Sequence, residues 1–76
     1  MKIKLIFHGN LKKYNNNLAE IEQEVSAGIT VEQLIAQTRI PKIEIAFVAI
    51  NGSRVTAHTI IQDGDEVKIF QLVGGG

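Results

Sequence analysis

Ile29-Thr30-Val31-Glu32-Gln33-Leu34-Ile35-Ala36-Gln37-Thr38-Arg39-Ile40-Pro41 decides the fold. Thr30 followed three residues later by Gln33 fits a capping box, with Ile29 and Leu34 in the flanking staple positions. Val31, Leu34, Ile35 and Thr38 recur at helical spacing and form one stripe. Glu32 lies near the positive end of the helix dipole and Arg39 near the negative end. Ile40-Pro41 sets the expected stop, because a residue preceding proline disfavours the helical region. The helix is therefore about ten residues long, too short to stand alone, and must pack on something.

What flanks it alternates with period two. Before it, Lys2 to Phe7 puts Ile3, Leu5 and Phe7 on one face and Lys2, Lys4 and Ile6 on the other. His8-Gly9-Asn10 breaks that pattern, Leu11 to Tyr14 reads as a short turn or hairpin end, and Asn15 to Asn17 as loop. Glu20 to Val25 alternates again, with a row of glutamates that suits a protected sheet edge. After the helix, Ala46 to Ile50 is rich in strand formers, and Asn51-Gly52 is a hairpin turn. Ser53 to Thr56 returns, Ile60-Ile61 plugs the core, and Asp63-Gly64 turns the chain. Glu66 to Val73 is the last strand, with Val67, Ile69 and Val73 on one side and Lys68, Phe70 and Leu72 on the other. A single short helix crossing one face of a mixed sheet of four to five strands is an α+β design. A hairpin, a helical crossover and a last strand parallel to the first make it a β-grasp.

Composition narrows the function. A chain of 76 residues makes one domain, and 45% apolar content is ordinary for a folded one. The division is residues 1–73 as the domain and 74–76 as a flexible tail. Eight basic and eight acidic residues give zero net charge, which argues against general affinity for nucleic acid or anionic membrane. Lys2, Lys4, Lys12 and Lys13 are better read as solubilising than as a basic patch. With no cysteine there is no disulfide, thiolate metal site or cysteine nucleophile. The short N-terminal apolar run does not fit a signal segment, and no stretch is long enough to cross a bilayer, so the expected place is the cytoplasm. His8 and His58 show no metal-ligand spacing, and no metal site is expected. His58 reads as a surface or turn residue. The Asp63-Gly64-Asp65-Glu66 cluster lacks a calcium-loop pattern, and Ser26 and Ser53 have no evident base.

The remaining signal is the ending, Gly74-Gly75-Gly76. Glycine is a poor residue for anchoring an end and a good one for threading a narrow space, because no Cβ obstructs it. Three extended residues reach roughly 10 Å, enough to carry the Gly76 carboxylate into a partner's active site. The competing reading is an idle frayed end.

With these residues in order, the chain resembles the ubiquitin-like sulfur carrier proteins of molybdopterin and thiamin biosynthesis, the MoaD/ThiS group. The resemblance rests on Thr30 to Ile35 at the helix, Val48-Ala49-Ile50-Asn51-Gly52 at the hairpin, Asp63 to Val67 before the last strand, and the glycine ending. It implies a protein co-substrate, not an enzyme, with no bound cofactor. An E1-like adenylating enzyme would use ATP to activate the Gly76 carboxylate, a sulfur donor would convert it to a thiocarboxylate, and a synthase subunit would accept the tail. Gly75 matches a family glycine, and Gly74 sits where the family has glycine or another small residue. The Val-Gly-Gly-Gly ending looks like the thiamin branch. The longer first hairpin, with Leu11 and Tyr14, looks like the small subunit of molybdopterin synthase; a third recipient stays open. A ubiquitin-like modifier joined to lysines and a plain β-grasp interaction module are the alternatives. Parity on the last strand also predicts an outward apolar patch beside the tail, made by Phe47, Phe70, Leu72 and Ile6, for partner docking.

Overall fold

The computed structural model describes residues 1–73. Five strands, β1 (Lys2–Phe7), β2 (Glu20–Glu24), β3 (Ile45–Ile50), β4 (Ser53–Val55) and β5 (Glu66–Gln71), form one mixed sheet in the order β2-β1-β5-β3-β4. The first and last strands are parallel at its centre, with Leu5 opposite Val67 and Phe7 opposite Ile69. A parallel pair needs a crossover, and α1 (Val31–Thr38) supplies it. The β-grasp expected from the sequence is the fold observed.

The inward residues of the sheet meet the stripe of the helix. Ile3, Leu5, Phe7, Val48, Val67 and Ile69 are buried with Val31 and Leu34 of α1. Val25, Ile29, Ile40 and Ile61 close the core from the connections. The capping box forms as read: Thr30 Oγ1 accepts from Gln33 N–H at 3.2 Å, and Thr30 N–H donates to Gln33 Oε1 at 2.9 Å. Two further N–H groups at that end, on Val31 and Glu32, donate to the carbonyls of Thr59 and Ala57 at 3.0 Å each. The donors that a helix start leaves unpaired are thus met by the loop before β5.

The structure departs from the sequence reading in four places. The helix ends at Thr38, because Arg39 takes the left-handed conformation (φ 65°) and Thr38 Oγ1 accepts from Ile40 N–H at 3.3 Å. The segment after β1 is a 3₁₀ helix, Gly9–Asn15, that drives Leu11 fully into the core. Of the Ile60-Ile61 plug only Ile61 is buried; Ile60 is exposed. The last strand stops at Gln71, and Val73 is 73% exposed instead of lying on the inner face. A bulge between Ile45 and Phe47 shifts the β3–β5 register, the last pair beyond it is Ile45 opposite Gln71, and Leu72 N–H donates to Glu44 C=O at 2.9 Å as the chain leaves the sheet.

At the β2 edge the glutamates face lysines. Glu24 lies opposite Lys2 and Glu22 opposite Lys4, which also stands opposite Glu66 on its other side. Lys2 and Lys4 therefore stand opposite acidic residues in the ladder. Among the described residues no helix is long and apolar enough to cross a membrane.

Candidate docking face and root of the C-terminal tail

Strand β5 alternates Val67 and Ile69 into the core with Lys68 and Phe70 outward. Its antiparallel neighbour β3 brings Phe47 opposite Phe70. The two rings stack with centroids 4.4 Å apart and planes 16° from parallel. Half-buried by each other, they form an apolar centre on the face of the sheet away from the helix. Such offset pairs add roughly 0.5–1.5 kcal/mol beyond area burial.

Three polar side chains frame this pair. The His8 ring lies 5.2 Å from Phe70, tilted by 40°. The Arg54 guanidinium lies 4.8 Å from the Phe47 centroid, and Lys68 Nζ 5.0 Å from that of Phe70. A cation over an aromatic face is held by the ring quadrupole. The face is thus apolar at its centre and positive at its rim, a suitable surface for a partner with an apolar pocket edged by carboxylates.

The four residues expected in the patch are not equally placed. Phe47 and Phe70 are in direct contact. Ile6 is on the same outer face and half-buried, but its neighbour across the ladder is Lys68, so it extends the patch toward β1 instead of joining its centre. Leu72 is 49% exposed and lies just past the strand, at the point where the tail starts. Gly74, Gly75 and Gly76 lie outside the described residues. His8 was missed by the sequence reading as a member of this face. Its signal was the parity of β1, which places residue 8 on the side of Ile6.

The root of the tail is held from two sides. Gln71 N–H donates to His8 Nδ1 at 3.2 Å, and Gln71 Oε1 accepts from Asn10 N–H at 2.9 Å. On the other side Glu44 C=O takes the Leu72 amide, and the Glu44 carboxylate accepts from the Tyr14 hydroxyl and pairs with Lys13 Nζ at 3.5 Å. The Tyr14 hydroxyl is raised above its ordinary value, first because it donates to Glu44, then through partial burial and the nearby negative charge. The hollow of about 240 Å³ lined by Leu5, Phe7, Tyr14 and Leu34 is on the helix side, away from this face.

The ThiS family model matches residues 8–76, from His8 at this face through the three glycines. The chain belongs to the ThiS family. It is a ubiquitin-fold sulfur carrier of the ThiS/MoaD kind, a protein that carries sulfur and does not itself catalyse. A putative molybdopterin converting factor subunit 1 from Pyrococcus furiosus is 26% identical, with a TM-score of 0.77 over 96% of this chain and 99% of that one. SAMP1 from Haloferax volcanii shares the fold at 16% identity, TM-score 0.77, with both chains fully covered. Subunit 1 and 2 of molybdopterin-converting factor from Helicobacter pylori, solved as a complex, supply another fold relative at 18% identity and TM-score 0.65, again with full coverage of both chains. No curated protein matches this chain in sequence.

Proposed function

We propose that this sulfur carrier works through the α-carboxylate of Gly76. An E1-like activating enzyme binds the Phe47–Phe70 face and receives the glycine tail in its active site. The carboxylate oxygen attacks the α-phosphorus of ATP and pyrophosphate leaves, giving an acyl adenylate. A carboxylate is a poor electrophile, and AMP supplies the leaving group that it lacks. Hydrosulfide released by a sulfur donor then adds to the acyl carbon and expels AMP. The product is a thiocarboxylate, whose sulfur is delivered to a precursor of thiamin or molybdopterin in a synthase-type subunit. The cytoplasm, where ATP and reduced sulfur donors are available, is the proposed setting.

The observation that carries this reading is the family match running through Gly74, Gly75 and Gly76. The central placement of β5 supports it: the strand that leads into the tail is tied on both edges, so the tail starts from a fixed point beside Phe70. The relative from Helicobacter pylori solved with its subunit 2 supports a synthase subunit as recipient.

The test is intact mass after incubation with ATP, a cognate activating enzyme and a sulfide source. Replacement of one oxygen by sulfur, absent when Gly76 is deleted, is the expected result. Adducts on lysines of other proteins would favour a modifier instead. No change, with an enzyme shown to act on another carrier, would leave an interaction module.

A further inference from the structure

Where β1 ends, an imidazole takes over the work of a carbonyl. In a parallel ladder, a bond from His8 N–H to Ile69 C=O is followed by one from Gln71 N–H to His8 C=O. The first is present at 3.0 Å. The second is not, because Gly9 (φ 60°) turns the chain into the 3₁₀ helix and His8 C=O accepts from Leu11 N–H at 3.2 Å. Gln71 N–H goes instead to His8 Nδ1. A nitrogen that accepts carries no proton, so the ring hydrogen is on Nε2.

The same turn takes hold of Gln71 by its side chain. Asn10 N–H donates to Gln71 Oε1, and a Cβ at position 9 would overlap that oxygen, so only glycine leaves the approach open. At its far end the 3₁₀ helix holds Glu44 through Tyr14 and Lys13, and Glu44 C=O holds Leu72. One short helix thus ties down both residues from which the tail departs.

We propose that the His8-Gly9-Asn10 turn is a positioning clamp on the root of the tail, with His8 and Gln71 as its positioning residues for activation of the terminal carboxylate. The inference rests on the carrier reading above. From Gln71 to Gly76 the chain extends at most roughly 17 Å. Holding its start fixes where that length is delivered relative to the docked Phe47–Phe70 face. Releasing Gln71 lets the start of the tail sample more directions, and fewer bound molecules present the carboxylate in line with ATP.

The experiment uses the full chain with the activating enzyme and two readouts. One is amide hydrogen exchange at Gln71 and Leu72; the other is kcat and KM for the carrier in ATP–pyrophosphate exchange. His8→Ala is expected to speed Gln71 amide exchange by about tenfold and to lower kcat by about tenfold, with any change in KM reporting its contact with Phe70 on the docking face. His8→Asn, which offers Oδ1 near the position of Nδ1, is expected to restore both. Gln71→Ala, whose side chain is not on the docking face, is expected to lower kcat in the same way and decides the matter if His8→Ala does not fold. Wild-type kcat in variants whose Gln71 amide is freed overturns the clamp, as does a loss confined to KM, which would make His8 a docking residue only. A wild-type chain that supports no exchange, with an enzyme competent on another carrier, overturns the carrier reading and the role of the clamp in it.

Discussion

Phe47 and Phe70 stack across the β3–β5 ladder on the face of the sheet that the helix does not cover. Phe70 is the last outward residue of the strand that leads into the glycine tail. On the carrier reading proposed above, a partner bound to this pair would be the one to receive the Gly76 carboxylate.

Replacing Phe70 with Asp therefore attacks docking and spares the fold. Affinity for the activating enzyme should fall by at least about tenfold, in the range for loss of a central interface aromatic. The comparison is Ile69→Asp, which puts a charge into a fully buried position and should prevent folding. Calorimetric titration and a thermal melt on each variant separate the effects. A folded Phe70→Asp chain that binds normally removes this face from the docking model.

Thr30→Ala should lower stability by about 1 kcal/mol, or about 4–8 °C in Tm for a domain of this size. The effect stays modest because the Val31 and Glu32 amides keep their bonds to Thr59 and Ala57. Leu34→Ala is a different class of change. Leu34 is 1% exposed, and emptying such a site costs about 2–5 kcal/mol, a large part of the 5–15 kcal/mol typical for a domain. Denaturant titration should rank the two variants clearly; equal losses would contradict the packing described.

Arg39 ends the helix at φ 65°, a conformation that carries a Cβ penalty for any residue but glycine. Arg39→Gly should raise stability by roughly 0.5–1 kcal/mol. A drop in the denaturation midpoint would show that the arginine side chain contributes more than its backbone costs.

The Tyr14–Glu44 bond makes stability depend on alkaline pH. The folded-state Tyr14 value lies above the ordinary 10.0, so its contribution is complete below pH 10 and is lost as pH rises through the raised value. Tyr14→Phe should be less stable than wild type at neutral pH, and the gap should narrow above pH 10. Parallel unfolding curves for the two proteins across that window would exclude the linkage.

The parts of this molecule that could be read from the sequence are those written in neighbouring residues. The capping box lies within Thr30 to Gln33, and the Asn51-Gly52 turn adopts the positive φ values (52° and 87°) that those two residues tolerate. Outward placement of Phe70 follows from the alternation of Val67, Lys68, Ile69 and Phe70 alone. The end of β5 was not readable in that way. Leu72 and Val73 continue an apolar run, and only the final Ile45–Gln71 pair and the bond from Leu72 to the Glu44 carbonyl show where the ladder stops.

By itself the sequence determined the β-grasp order, the core face of each central strand and the glycine ending, because periodicity and turn chemistry are local and repeat along the chain. The tertiary structure alone decided the bonds that hold Gln71 and Leu72. His8 meets Gln71 across 63 positions and Tyr14 meets Glu44 across 30. Neither pair has a spacing to betray it, since a hydrogen bond between distant residues exists only once the parallel crossover has brought β1 beside β5 and the 3₁₀ helix over their ends.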